Sequence, residues 1–171
     1  MTTISIPARI YDELIAHFSS SDVEEVAFLF TEPPAAHAPL RVREIYRVPP
    51  DGFDFQSNYH VALTDETRAH VIKRAHDLTA CLVEAHSHGE APIACFSASD
   101  LDGFRDWVPH VRWRLRRRPY VALVFAGEQF DALLWNDDAE GPQPVTALQI
   151  DGRPPRRPSG LTHQHLSDHS L

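Results

Sequence analysis

His86 and His88 stand one residue apart, and Ser97 and Asp100 follow with the spacing Ser-x-x-acid. Imidazole nitrogen and carboxylate oxygen are donors that zinc accepts, and a catalytic zinc site uses three protein ligands with a fourth position left to water. His86, His88 and Asp100 supply three, so a hydrolase is the leading expectation. Thr79-Ala80-Cys81-Leu82-Val83 is apolar and partly β-branched, and predicts a buried strand running into the histidines. Side chains on a strand alternate faces, which points His86 and His88 the same way. Phe96 to Leu101 reads as a helix start with Asp100 in its first turn. The same Ser97 and Asp100 fit a capping box, in which each side chain accepts from an orphan backbone N–H. A His-x-His pair alone is a weak signal among 11 histidines. Its combination with Ser97 and Asp100 is what points to a metal.

Hydrolysis of this kind also needs a base that takes a proton from water and later gives one to the leaving amine. Asp22-Val23-Glu24-Glu25 leads into Val26-Ala27-Phe28-Leu29-Phe30, a second apolar run that predicts an interior strand. A glutamate at the lip of that strand can face the metal. The alternative is that Glu24 and Glu25 form a solvated turn.

Taken together, these residues resemble the JAMM (JAB/MPN) metalloproteases, whose pattern is an upstream Glu, then His-x-His, then Ser-x-x-Asp. The matching positions are His86-Ser87-His88, Ser97 and Asp100. The family's Glu precedes a hydrophobic strand as Glu-x-x-Gly-x-Leu or similar, and Glu25 is assigned to it through Glu25-Val26-Ala27-Phe28-Leu29-Phe30. The resemblance implies that His86, His88 and Asp100 bind zinc, that Glu25 is the general acid/base, and that Ser97 steadies the oxyanion. It also implies the fold: α/β, a single JAB/MPN-like (cytidine-deaminase-like) domain whose mixed, mostly antiparallel sheet is flanked by helices. The implied activity is a zinc-dependent isopeptidase or peptidase that cleaves after the C-terminal tail of a ubiquitin-like or sulfur-carrier-like protein. The cognate activating and conjugating enzymes are further candidate partners. The chain departs from the pattern in three places. Gly89 stands where many members have Pro, the His88–Ser97 interval is one residue longer, and Phe28 stands where a Gly is usual. A non-catalytic MPN-like scaffold and a metal-dependent hydrolase of a small molecule are the alternative readings.

The 171 residues, 43% of them hydrophobic, suffice for one core, and the expected domain spans residues 1–150. No apolar run reaches the roughly 20 residues of a spanning helix, and Met-Thr-Thr-Ile-Ser-Ile lacks the charged start of a signal peptide. The expectation is a cytoplasmic protein. Cys81 and Cys95 are the two cysteines, too few for a disulfide framework and both expected reduced, with Cys81 as strand filling and Cys95 near the metal or inertly packed. A net charge of −8 argues against a general nucleic-acid binder. The local exception is Arg112, Arg114, Arg116, Arg117 and Arg118 around Trp113, read as cations at a helix C-terminus or as a docking patch for an acidic partner. The His-x-Glu and Pro-Cys-x-x-Cys signatures of zinc deaminases are absent.

Further expectations are a helix over 8–19, strands over 25–31 and 40–48, and a strand through 59–63 with the 52–62 segment as the edge that receives an extended tail. Thr64 or Asp65 caps a second helix. A hairpin turns at Gly127-Glu128 between 120–125 and 130–135, and a last strand runs from 145 to 150. Residues 151–171, rich in Pro, Arg, Ser and His, are expected to be disordered, with adventitious metal binding by His163, His165 and His169 at most.

Overall fold

The computed structural model describes residues 2–136 and 141–168. In chain order its elements are β1 (Thr3–Ile6), α1 (Ala8–Phe18), β2 (Val26–Thr31), β3 (Leu40–Arg47), β4 (Phe53–Gln56), β5 (Val61–Leu63), α2 (Asp65–Asp77), β6 (Leu82–Ser87), α3 (Ala98–Arg114), β7 (Tyr120–Ala126), β8 (Gln129–Trp135), β9 (Gln143–Pro144), β10 (Ala147–Ile150) and α4 (Leu161–Asp168). Eight strands form one mixed sheet in the order β10-β1-β3-β2-β6-β7-β8-β9. The β10-β1, β1-β3 and β6-β7 pairs are parallel, and the remaining four are antiparallel. The α/β class with a mixed, mostly antiparallel sheet and flanking helices is as the sequence predicts.

The central strands are buried on both faces, and the period-2 alternation sorts their side chains into two cores. Ala27, Leu29, Val83, Ala85, Val121 and Leu123 meet Ile10 and Leu14 of α1 on one face. On the other, Val26, Phe28, Phe30, Leu82 and Val124 pack with Val71 and Ala75 of α2 and Phe104, Val108 and Val111 of α3. Each fully buried Phe or Leu contributes roughly 1.5–3 kcal/mol of transfer free energy. Ile10 and Leu14 set the buried stripe of α1, which starts after Pro7. Thr64 is the N-cap of α2, its hydroxyl accepting from the Thr67 N–H at 3.1 Å.

Three expectations need correction, and one strand, β1, has no counterpart among them. Thr79 ends the α2 turn at φ +53° and the motif strand begins at Leu82, so the strand is shorter than the apolar run. Thr3–Ile6 is a strand, with Ile4 and Ile6 fully buried between β10 and β3. The 52–62 segment is no edge of the main sheet, because β4 and β5 pair only with each other as a separate two-stranded sheet. Residues 151–168 are ordered. The buried Asp131 carboxylate of β8 accepts from Gly160 N at 3.0 Å and Thr162 N at 2.9 Å, and Thr162 Oγ1 in turn accepts from Phe96 N at 2.9 Å. Those long-range donors compensate for the segment's low apolar content. His163 and His165 lie on α4, and His169 falls outside the described residues.

The arginine run is not uniform. Arg118 turns inward, donating from Nη1 to the carbonyls of Ala75 at 3.1 Å and Ala80 at 2.7 Å, so it ties the end of α2 to the start of β6. Arg114 lies over the exposed ring of Trp113. Among the described residues, no helix is long and apolar enough to cross a membrane.

Candidate metal centre

His86 and His88 leave the end of β6 on one face, and Asp100 enters from the first turn of α3. His86 Nε2 lies 3.1 Å from His88 Nε2, and Asp100 Oδ2 lies 3.5 Å from the first and 3.3 Å from the second. Zinc bonds of 2.0–2.2 Å in a tetrahedron require ligand atoms about 3.3–3.6 Å apart. The three donor atoms therefore already stand at close to the edge lengths of a zinc tetrahedron, and their chemistry fits the ion.

The positions follow from local sequence. His88 N donates to Phe125 O of β7 at 2.7 Å, which fixes the strand end, and the His86 ring packs on Phe96. Ser97 is the N-cap of α3 and closes a capping box with Asp100. Ser97 N and Ser97 Oγ both donate to Asp100 Oδ2, at 2.7 and 2.8 Å, and Ser97 Oγ accepts from Asp100 N at 3.2 Å. The cap and the ligand are thus one carboxylate, held by Ser97 and aimed at the histidines. Burial pushes the Asp100 carboxyl up, but hydrogen bonding to His86 and His88 outweighs it and holds the group well below the usual carboxylate range. Burial pushes His86 down, and the Asp100 carboxylate outweighs that too, so His86 holds its proton more tightly than an ordinary imidazole.

The structure places Glu24, not Glu25, against this group. Val26 is the cross-strand partner of His86, so even-numbered residues of β2 and β6 share a face. One step out along both strands, Glu24 meets His88, with Oε1 3.7 Å from Nε2. The hairpin of β4 and β5 pins its backbone: Glu24 N donates to Ser57 O at 2.8 Å, and Glu24 O accepts from Gln56 Nε2 at 2.9 Å. Its carboxyl is pushed up by burial, an effect moderated by His86 and His88. Glu25 points to the opposite face. Its carboxylate accepts from Ser21 Oγ at 2.7 Å and lies 3.7 Å from His17 Nε2, while its backbone N donates to Ser87 Oγ at 3.0 Å. The signal missed in the sequence is the frame Glu24-x-x-Ala27-x-Leu29, where Ala stands for the small residue and Leu29 falls in register.

Cavities border the group on two sides. A groove of about 680 Å³ includes Glu24, Ser87, His88 and Gly89, and a smaller cavity of about 230 Å³ includes His86, Asp100 and Glu84. Cys81 is buried and Cys95 partly so; neither belongs to the metal group, and burial pushes both thiols up.

No family model and no curated protein matches this chain. Solved structures do. The solution structure of a protein from Desulfitobacterium hafniense, a structural genomics target, is 18% identical with a TM-score of 0.54, covering 88% of this chain and 94% of that one. A second, from Salinibacter ruber, is 19% identical with a TM-score of 0.48 over 92% of this chain and 96% of that one. The first likeness shows a shared fold and nothing about chemistry.

Proposed function

We propose that this chain is a zinc-dependent isopeptidase or peptidase of the JAMM type, cleaving after the C-terminal tail of a ubiquitin-like or sulfur-carrier-like protein. The observation that carries the reading is the convergence of His86, His88 and Asp100 to tetrahedral spacing with the buried Glu24 carboxylate 3.7 Å from His88. A non-catalytic scaffold has no use for a desolvated carboxylate beside three preset ligand atoms. Two cavities meeting at the group provide room on both sides of a scissile bond, which favours a peptide over a compact small molecule.

Bound there, zinc supplies Lewis-acid chemistry, polarising a carbonyl oxygen and making water a stronger acid. Glu24 Oε1 takes the proton from the attacking water and returns it to the departing nitrogen, so the amine leaves neutral and the new carboxyl carries the water oxygen. Burial prepares Glu24 for that exchange by bringing its proton affinity closer to working pH. Ser97 keeps the Asp100 carboxylate turned to the histidines, and in this reading its hydroxyl also assists the developing oxyanion.

Elemental analysis tests the metal half, with about one zinc per chain expected. His86→Ala/His88→Ala should lose it in a background where His163, His165 and His169 are also replaced by Ala. Cleavage of a ubiquitin-like fusion tests the substrate half. Equal zinc in the parent and the double variant would overturn the ligand assignment. A zinc-loaded chain that hydrolyses small amides but leaves every protein tail intact would favour the small-molecule reading instead.

A further inference from the structure

Glu84 is a carboxylate in the middle of the sheet that the proposed chemistry does not use. It lies on β6 two residues before His86, on the same face, opposite Phe28 of β2 and Ala122 of β7. Tyr120 Oη donates to its Oε2, and Trp107 Nε1 donates to Tyr120 Oη at 2.9 Å. Both donors therefore point down one chain toward Glu84, whose carboxyl burial pushes up, and among the described residues no lysine, arginine or histidine forms an ion pair with it. The side chain keeps partial exposure, and the cavity of about 230 Å³ reaches it. Val26, Leu63, Phe104 and Trp107 give that cavity apolar walls, Glu84 lies within it, and its other end is at His86 and Asp100. Arg68 lines it as well, with its guanidinium over the Trp107 ring and 4.0 Å from Asp65.

We propose that this cavity is a subsite for a lysine or arginine side chain on the amine side of the scissile bond, with Glu84 as its specificity-determining residue. At this volume it is smaller than the roughly 300–1,000 Å³ of pockets that hold whole ligands, and suits a single side chain. An aliphatic stem fits the apolar walls, and a terminal ammonium or guanidinium meets a carboxylate that has no ion-pair partner among the described residues. A purely structural glutamate would serve Tyr120 equally well from a sealed core. The open groove beside Glu24 and His88 is then left for the extended tail on the acyl side. The inference rests on the proposed peptidase reading for which residue occupies the cavity, but the binding it asserts is measurable without turnover.

Lysine amide is the amine-side product such a cleavage would release, and norleucine amide has a stem of similar length without the ammonium. Binding of each to the full-length chain is followed through the indole N–H signal of Trp107 by NMR. Lysine amide should bind at least tenfold more tightly than norleucine amide. Glu84→Gln, which keeps an acceptor for Tyr120, should erase the difference between the two. Gly103→Phe, placed where an added Cβ meets nothing within 4 Å, should block both ligands and serves if Glu84→Gln does not fold. Equal binding of the two amides to the wild type, a preference that survives Glu84→Gln, or binding undisturbed by Gly103→Phe would overturn the proposal. A lysine preference that Glu84→Gln removes, in a chain that cleaves no conjugate, would sustain the subsite while sinking the peptidase reading.

Discussion

Exchanging the two adjacent glutamates for glutamine separates the proton carrier from its neighbour. Glu24→Gln keeps the shape of the side chain and the backbone hydrogen bonds to Ser57 and Gln56, but it removes the proton acceptor 3.7 Å from His88. Loss of general acid–base catalysis lowers turnover by about 10²–10⁴-fold, or roughly 2.7–5.4 kcal/mol of activation free energy. Zinc content should not change, because the three ligand atoms do not include Glu24. Glu25→Gln still accepts from Ser21 and loses only its charge beside His17, which costs about 0.5–1.5 kcal/mol of stability and little turnover. A second readout comes from pH. Glu24 has a folded-state pKa raised above 4.5, so its neutral form stabilises the fold at acid pH and that contribution is lost as pH rises through the raised value. Gln is neutral throughout, so metal-free Glu24→Gln should match the wild type in acid and exceed it in stability at neutral pH. The assay is steady-state cleavage of a ubiquitin-like fusion, with zinc content and melting temperature measured on the same samples. An inactive Glu25→Gln beside an active Glu24→Gln, both loaded with zinc, would refute the register argument.

Ser97→Ala should lower stability by about 0.5–2 kcal/mol through the lost cap, and turnover by roughly 10²–10³-fold if its hydroxyl also meets the oxyanion; a destabilised variant with normal turnover leaves Ser97 as a cap only. Because Asp100 holds the His86 proton above the ordinary 6.5, protons compete with zinc for His86 already above that pH. Zinc affinity measured against a chromogenic chelator should therefore start to fall above pH 6.5 on acidification, and a constant affinity down to that pH would contradict the Asp100–His86 coupling. Deleting residues 153–171 leaves the buried Asp131 carboxylate with Ala132 N as its remaining donor among the described residues, a loss of about 3–5 kcal/mol and roughly 6–20 °C in melting temperature. An unchanged melting curve would show that the segment does not hold the domain together.

Local signals made much of this fold readable. The Thr64 cap, the helical stripe of α1 and the 120–135 hairpin each rest on contacts between near neighbours, and each stands where the pattern puts it. The ligand trio was readable for the same reason, since His-x-His on a strand fixes two donors and Ser-x-x-Asp fixes the third at a helix start. What escaped depends on distant partners. β1 has four residues and gains its identity from pairing with β10, which lies at 147–150. The 151–168 segment looks polar because its anchors are hydrogen bonds to Asp131 and Phe96 rather than apolar contacts. Glu24 and Glu25 could not be told apart by alternation, because β2 is buried along its whole length on both faces. Only its register with β6 says which glutamate shares the face of His86.

The bond from Phe96 N to Thr162 Oγ1 spans 66 residues and anchors the residue just before Ser97. A ribosome adding about 5–20 residues per second takes roughly 3–13 s to make the chain between them. For that interval the nascent chain already carries His86 and His88, while the segment that presents Asp100 lacks its anchor. Completion of the His86, His88 and Asp100 group is thereby deferred until Thr162 has been made. A chain stalled short of Thr162 offers two imidazoles and a loosely held carboxylate, so a probe of metal binding would also report whether the segment that carries Thr162 has been made.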